Sequence, residues 1–200
     1  MIEVKGLTKR YGNHTAVSNL TFTVEDNCVY GFLGPNGAGK STTMNIITGC
    51  LSATDGSVSV DGHDIFEEAV EAKKKIGYLP ELPPLYFDMT PKEYFVFVSE
   101  AKKVPKTERE AQIEEAMEKT GIKAVENKLI KSLSKGYRQR VGIAQAIIGN
   151  PSIIILDEPT VGLDPKQIIE IRDLIRELGK THTVILSSHI LSEVQAVCDK

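Results

Sequence analysis

Short apolar runs alternate with helical stretches along most of the chain. "CVYGFLG" (28–34) reads as a buried strand, "IIILDE" (153–158) as a central strand and "TVILSSH" (183–189) as another, each bounded by turn-forming residues. "KSTTMNIITGC" (40–50) reads as the helix that follows the first of them. Strand and helix in alternation predict an α/β unit with a mainly parallel core sheet. From Thr90 to about Lys119 the pattern is helical, opened by Thr90 as N-cap, Pro91 at the first helical position and Glu93 completing a capping box. A helical insert, about 88–150, thus interrupts the sheet-forming segments. No repeat or low-complexity tract appears.

Composition narrows the class. A chain of 200 residues with 41% hydrophobic content can bury one good core with a small subdomain attached, so a single domain is expected over 1–200. The formal net charge of -3 argues against a nucleic-acid partner, which favours clustered Lys and Arg. Cys28, Cys50 and Cys198 are scattered and form no C-x-x-C pair, which suggests neither a disulfide framework nor a zinc site and fits the cytoplasm. "MIEVKGLTKRYG" has no apolar leader region, and no stretch approaches the ~18 apolar residues of a membrane span.

The first chemical motif is "GPNGAGKST", Gly34 to Thr42, which fits G-x-x-x-x-G-K-[ST] between a predicted strand and a predicted helix. Backbone N–H groups of Gly34, Asn36, Gly37, Ala38 and Gly39 can wrap phosphates, and Lys40 can reach the β and γ oxygens. Ser41 can offer its hydroxyl to Mg²⁺, and Thr42, the last residue of the motif, is counted among the nucleotide-binding residues. With Gly at ~7% of average usage, this pattern arises by chance in roughly one chain of this length in a hundred, so a nucleoside triphosphate site is the better account. The second motif, "IIILDEPT", delivers Asp157 and Glu158 at the C-terminal end of a buried strand, where open α/β sheets bind ligands. Side chains alternate along a strand, so the two carboxylates cannot share one role. Asp157 suits Mg²⁺, through water, and Glu158 suits the attacking water.

A third motif, "LSKGYRQR" (133–140), looks like a helix start with free N–H groups, a second place for an anion. With the phosphate loop and the acidic strand end, it resembles the signature of the ATP-binding cassette ATPases, and the resemblance covers nearly the whole chain. The resemblance implies a P-loop NTPase core with an N-terminal antiparallel β segment and a helical subdomain. It implies a head-to-tail dimer, homo- or heteromeric, in which Ser134 and Gly136 of one chain cap the ATP held by the phosphate loop of another. Carried over residue by residue, it assigns Tyr11 to adenine stacking, Asp164 in "VGLDP" to the loop at the dimer interface, and His189 to the γ-phosphate and the attacking water. His14, His63 and His182 lack such context and read as surface residues.

Two departures stand out. The family's usual glutamine is Glu81 here, in "IGYLPELPPLY". A carboxylate oxygen can serve both Mg²⁺ and the attacking water, and this glutamate before an apolar, proline-rich loop resembles an exporter-type branch. The chain also stops at Lys200, short of the family's closing strands, as expected of a truncated piece. The function so implied is ATP hydrolysis that powers transport by separate integral membrane subunits, from a position peripheral to the inner face of the cell membrane. Import against export, and the transported substrate, stay open.

The alternative is a soluble cassette ATPase acting on nucleic acid or ribosomes. It would bring long coiled-coil inserts or a second cassette, and neither is present. A GTPase would need N-K-x-D, but Asn127 and Lys128 are followed by Leu129 and Ile130. An inactive ATP-binding module is hard to square with the joint presence of Lys40, Asp157, Glu158 and His189. Lys40→Ala is expected to abolish tight ATP binding, because no other residue of the motif supplies a cation to the β and γ oxygens. Equilibrium binding that stays near wild type in this variant would overturn the phosphate-loop assignment.

Overall fold

The computed structural model describes residues Met1–Lys200. Its elements run β1 (Ile2–Tyr11), β2 (His14–Val24), β3 (Val29–Leu33), α1 (Lys40–Ile47), β4 (Asp55–Val60), β5 (His63–Asp64), α2 (Ala69–Lys74) and β6 (Ile76–Leu79). They continue with α3 (Pro91–Ala101), α4 (Lys106–Lys119), α5 (Lys135–Ile147), β7 (Ile153–Asp157), α6 (Pro165–Gly179), β8 (Thr183–Ser188) and α7 (Leu191–Val197). The strands form two four-stranded sheets, ordered β2-β1-β4-β5 and β3-β8-β7-β6. The first is antiparallel and the second parallel. The result is an α/β P-loop NTPase fold. No helix is long and apolar enough to cross a membrane.

The aliphatic run of β7 shows why the sheet sits where it does. Ile153 and Ile155 join the core between the two sheets, together with Val4 and Val58 of the antiparallel sheet and Met44 and Ile47 of α1. Ile154 and Leu156 point the other way, into the core shared with the helices after β6. A strand buried on both faces has no polar positions to alternate with, which accounts for the unbroken run. β3 behaves differently from the expectation of a buried strand. It is the edge of the parallel sheet, with only Val29 fully buried and Leu33 exposed.

The stretch from Thr90 to Lys119 is two helices rather than one. The capping box forms as the sequence suggests, with Thr90 Oγ1 accepting from the Glu93 amide and the Glu93 carboxylate accepting from the Thr90 amide at 2.8 Å. The break falls at Lys103, whose φ is +57°, with Pro105 preceding α4. Lys102, beside the break, binds the end of a different helix: its ammonium donates to the carbonyls of Gln145 (2.8 Å), Ala146 (3.1 Å) and Ile148 (2.6 Å). A cation on the last carbonyls of α5 satisfies acceptors that the helix cannot pair internally. Burial pushes its pKa down to about 8.

α5 also presses directly on the sheet. A Cβ added to Gly77 of β6 would lie 2.1 Å from the Ala146 carbonyl oxygen, so helix and strand backbones touch where only glycine fits. Gly77→Ala is expected to destabilise the fold by about 1–3 kcal/mol, the usual penalty for overpacking, as read from urea unfolding. An unchanged midpoint would mean that α5 can shift outward freely.

Candidate active site

Between β3 and α1 the chain turns through Gly34 to Gly39. Gly39 takes φ +89°, and a Cβ there would meet the Ala16 carbonyl at 2.4 Å, so a side chain would force the loop away from β2. No side chain caps the N-terminus of α1, whose N–H groups are available to an anion. Lys40 is buried at the start of the helix, and its ammonium donates to the carbonyls of Gly34 (2.7 Å) and Pro35 (3.3 Å).

Opposite the loop, Asp157 ends β7 in register with Ser187 of β8. Asp157 is only 2% exposed, and its carboxylate accepts from the Ser187 hydroxyl. That hydroxyl in turn accepts from the Glu158 amide at 3.0 Å. Glu158 takes φ +49°, a left-handed conformation that costs a non-glycine residue roughly 1–2 kcal/mol. Its carboxylate sits between two partners. Oε1 lies 3.5 Å from the Lys40 ammonium, and Oε2 lies 2.9 Å from Nδ1 of His189. The carboxylate thus bridges a cation and an imidazole.

These groups line a cleft of about 490 Å³ with Asn36, Gly37, Gly39, Ser41, Thr42, Glu81 and Tyr11. Gly34, Ala38 and Asp157 are not in its wall. Tyr11 is 50% exposed at the end of β1, with the Lys9 ammonium 5.3 Å from its ring centroid and held in turn by the Ser52 carbonyl. The Ser41 hydroxyl and the Glu81 carboxyl in the cleft wall, and the Asp157 carboxylate at the end of β7, are hard oxygen donors that suit Mg²⁺. No three His, Cys, Asp or Glu side chains converge here, so a metal would need phosphate oxygens and water to complete its shell.

Ser134, Gly136 and Asp164 lie elsewhere. Ser134 caps α5, accepting from the Tyr137 amide at 3.4 Å, and borders with Gly136 a separate concavity of about 280 Å³. Asp164 caps α6, accepting from the Gln167 amide at 3.0 Å. A Cβ on Gly136 would meet the Gln167 carboxamide at 2.6 Å, so the signature glycine has a packing reason within its own chain. Arg140 also acts locally, donating to the Thr120 carbonyl (2.9 Å) and Glu170 (2.6 Å).

His14 is exposed, as the surface reading has it, while His182 departs from it. His14 lines the cleft, paired with Tyr11 across the β1–β2 turn. The signal was present in the sequence: only Gly12 and Asn13 separate the two, a tight hairpin that sets the flanking residues side by side. His182 is buried, with Nδ1 2.8 Å from the Pro151 carbonyl. His63 is near the surface, 3.0 Å from Glu68.

A phosphate loop at the end of one parallel strand, two carboxylates at the end of another and a signature helix in an inserted lobe define an ATP-binding cassette. The chain belongs to the ABC transporter family, whose pattern it matches over residues 17–161. It is 38% identical over 201 residues to the bacitracin transport ATP-binding protein BcrA of Bacillus licheniformis, covering all of this chain and 65% of BcrA. It is also 38% identical over 200 residues to the lantibiotic transport ATP-binding protein SrtF of Streptococcus pyogenes, covering all of this chain and 84% of SrtF. The chain therefore spans about two thirds of the length of BcrA. Among solved structures, the dimeric cassette MJ0796 in a post-hydrolysis state with ADP and Pi superposes with a TM-score of 0.87 at 27% identity, covering 98% of this chain and 91% of that one.

Tyr11→Ala is expected to weaken ATP binding by about 1–3 kcal/mol, the worth of base stacking on an aromatic ring, and to leave inorganic tripolyphosphate binding unchanged. Calorimetry with both ligands separates base from phosphate contacts. Equal losses for the two would reassign Tyr11 to packing.

Proposed function

We propose that this chain is the ATP-hydrolysing subunit of a membrane transporter, dimerising around two ATP molecules and driving export by separate membrane-spanning subunits. The observation that carries the reading is the placement of the Glu158 carboxylate between the Lys40 ammonium and His189 at the mouth of the phosphate loop. On this reading Lys40 leaves its loop carbonyls for the β and γ oxygens, and Glu158 accepts a proton from the attacking water. His189, bonded to Glu158, keeps that carboxylate oriented and faces the γ-phosphate. Mg²⁺, held by Ser41, Glu81 and Asp157 with the phosphates, would neutralise charge on the γ-phosphoryl oxygens. Little covalent chemistry falls to the protein, and positioning carries the rate.

The remaining site residues are assigned to a second chain's ATP. Ser134 and Gly136 border a concavity that shares no residue with the nucleotide cleft, as expected if they cap a nucleotide bound by a partner. Asp164 shapes the loop that would cross between subunits.

An exposed apolar face supports docking to a membrane subunit from the cytoplasmic side. Leu82 is 85% exposed, Tyr86 51% and Phe87 46%, while Leu85 and Met89 only partly cover themselves against the core. Exposed apolar side chains are costly in water and mark an interface, and Leu85 and Tyr86 also border a groove of about 470 Å³ against α3. The transport roles named for BcrA and SrtF favour the same task here.

Glu158→Gln is expected to slow hydrolysis roughly 10²- to 10⁴-fold while ATP binding survives, the usual worth of a positioned general base. Two chains should then accumulate as an ATP-bound dimer, which light scattering after gel filtration detects, because a ligand shared between protomers stabilises the associated state. Adding Gly136→Asp should abolish that dimer by placing a negative charge beside the concavity that the partner's phosphate would enter. Gly136→Ala, which disturbs Gln167 without adding charge, should leave most of it. A Glu158→Gln protein that stays monomeric at high concentration would falsify the shared-site arrangement.

A further inference from the structure

One buried carboxylate is not used by the chemistry above. Glu193, on α7, is 6% exposed. Its Oε2 accepts from the Thr160 hydroxyl at 2.7 Å and from the Ser188 hydroxyl at 3.0 Å. Its Oε1 lies 3.9 Å from the Arg172 guanidinium, which sits on α6 and whose Nε is buried without a hydrogen-bond partner. Thr160 and Ser188 are themselves buried.

The places these partners occupy give the carboxylate its meaning. Thr160 lies two residues after Glu158, in the turn that leaves β7. Ser188 ends β8 immediately before His189, and its hydroxyl accepts from the Ile190 amide at 3.1 Å, so it clamps both sides of the histidine. Arg172 belongs to the helix that begins after Asp164. A single side chain therefore ties together the loop of Glu158, the strand end of His189 and the helix of the interface loop. An unpartnered buried carboxylate would cost several kcal/mol, so each of these bonds constrains where its segment can sit.

We infer that Glu193 is a positioning residue, which holds Glu158 and His189 in mutual register through Thr160 and Ser188 and links that register to α6. It does not line the nucleotide cleft. Its contribution is to the geometry of the Glu158–His189 pair, whose Nδ1 to Oε2 distance of 2.9 Å leaves little slack. The inference rests on the ATPase reading for its catalytic consequence, but the tie itself can be tested without turnover.

The test uses Thr160, which keeps Glu193 in place. Thr160→Val removes the hydroxyl at nearly constant shape, and Thr160→Ser restores it. The Val variant should lose about 10- to 100-fold in kcat, the scale of a misplaced catalytic group, with the KM for ATP within two-fold of wild type. The Ser variant should recover most of the rate. Independently, the His189 imidazole signals in a long-range ¹⁵N–¹H spectrum, assigned with His189→Gln, should be a single set in wild type and Thr160→Ser and broadened or doubled in Thr160→Val. Val and Ser variants with the same kcat, or a Val variant losing ATP affinity in step with rate, would overturn the proposal. So would His189 signals that stay unaltered in Thr160→Val. If wild type binds no ATP, the ATPase reading fails on its own and the spectrum still decides the tie.

Discussion

A carboxylate at the closed end of an all-aliphatic strand cannot stay there unpartnered, and the arrangement of the catalytic cleft follows from how Asp157 is satisfied. The hydroxyl of Ser187, its register partner on the neighbouring strand, donates to it and also receives the amide of Glu158. That second bond holds Glu158 in a left-handed turn that its own residue type disfavours. The two carboxylates therefore take different partners, Ser187 for Asp157 and Lys40 with His189 for Glu158. Two adjacent acids acquire different surroundings because a strand and a reversed turn meet between them.

The same economy links the two lobes. α5 presents the signature at its N-terminus, rests on Gly77 in its last turns, and has its C-terminal carbonyls held by Lys102 from the preceding helical hairpin. Movement of the inserted lobe must therefore carry α5 along, and with it Ser134 and Gly136. The exposed apolar side chains of Leu82, Tyr86 and Phe87 lie at the root of that lobe, in the segment that also brings Glu81 to the cleft. A partner seated on this face would sit a few residues from a candidate metal ligand, a short mechanical path from docking to chemistry.

Much of this was legible in the residues themselves. The phosphate loop, the acidic end of β7 and the Thr90–Glu93 capping box are local patterns, set by hydrogen bonds and steric limits within a few positions, so spacing alone specifies them. The parallel core could be read from apolar runs because a strand covered on both faces carries no polar alternation.

Tertiary structure decided whatever depends on distant neighbours. Strand order made β3 an edge, though its apolar run reads as a buried strand. Packing gave Gly136 an in-chain reason through Gln167, gave Arg140 its carbonyl and carboxylate partners, and buried His182 against Pro151. It also gathered Thr160, Ser188 and Arg172 around Glu193 from three separate segments. Apart from Ser188 and Glu193, which are five positions apart, the groups that meet are about 20 or more residues apart, so their contacts have no signature in spacing. The sequence by itself determined which chemical groups this protein owns and which local turns present them; burial of polar atoms, which must find partners across the fold, determined where each one points.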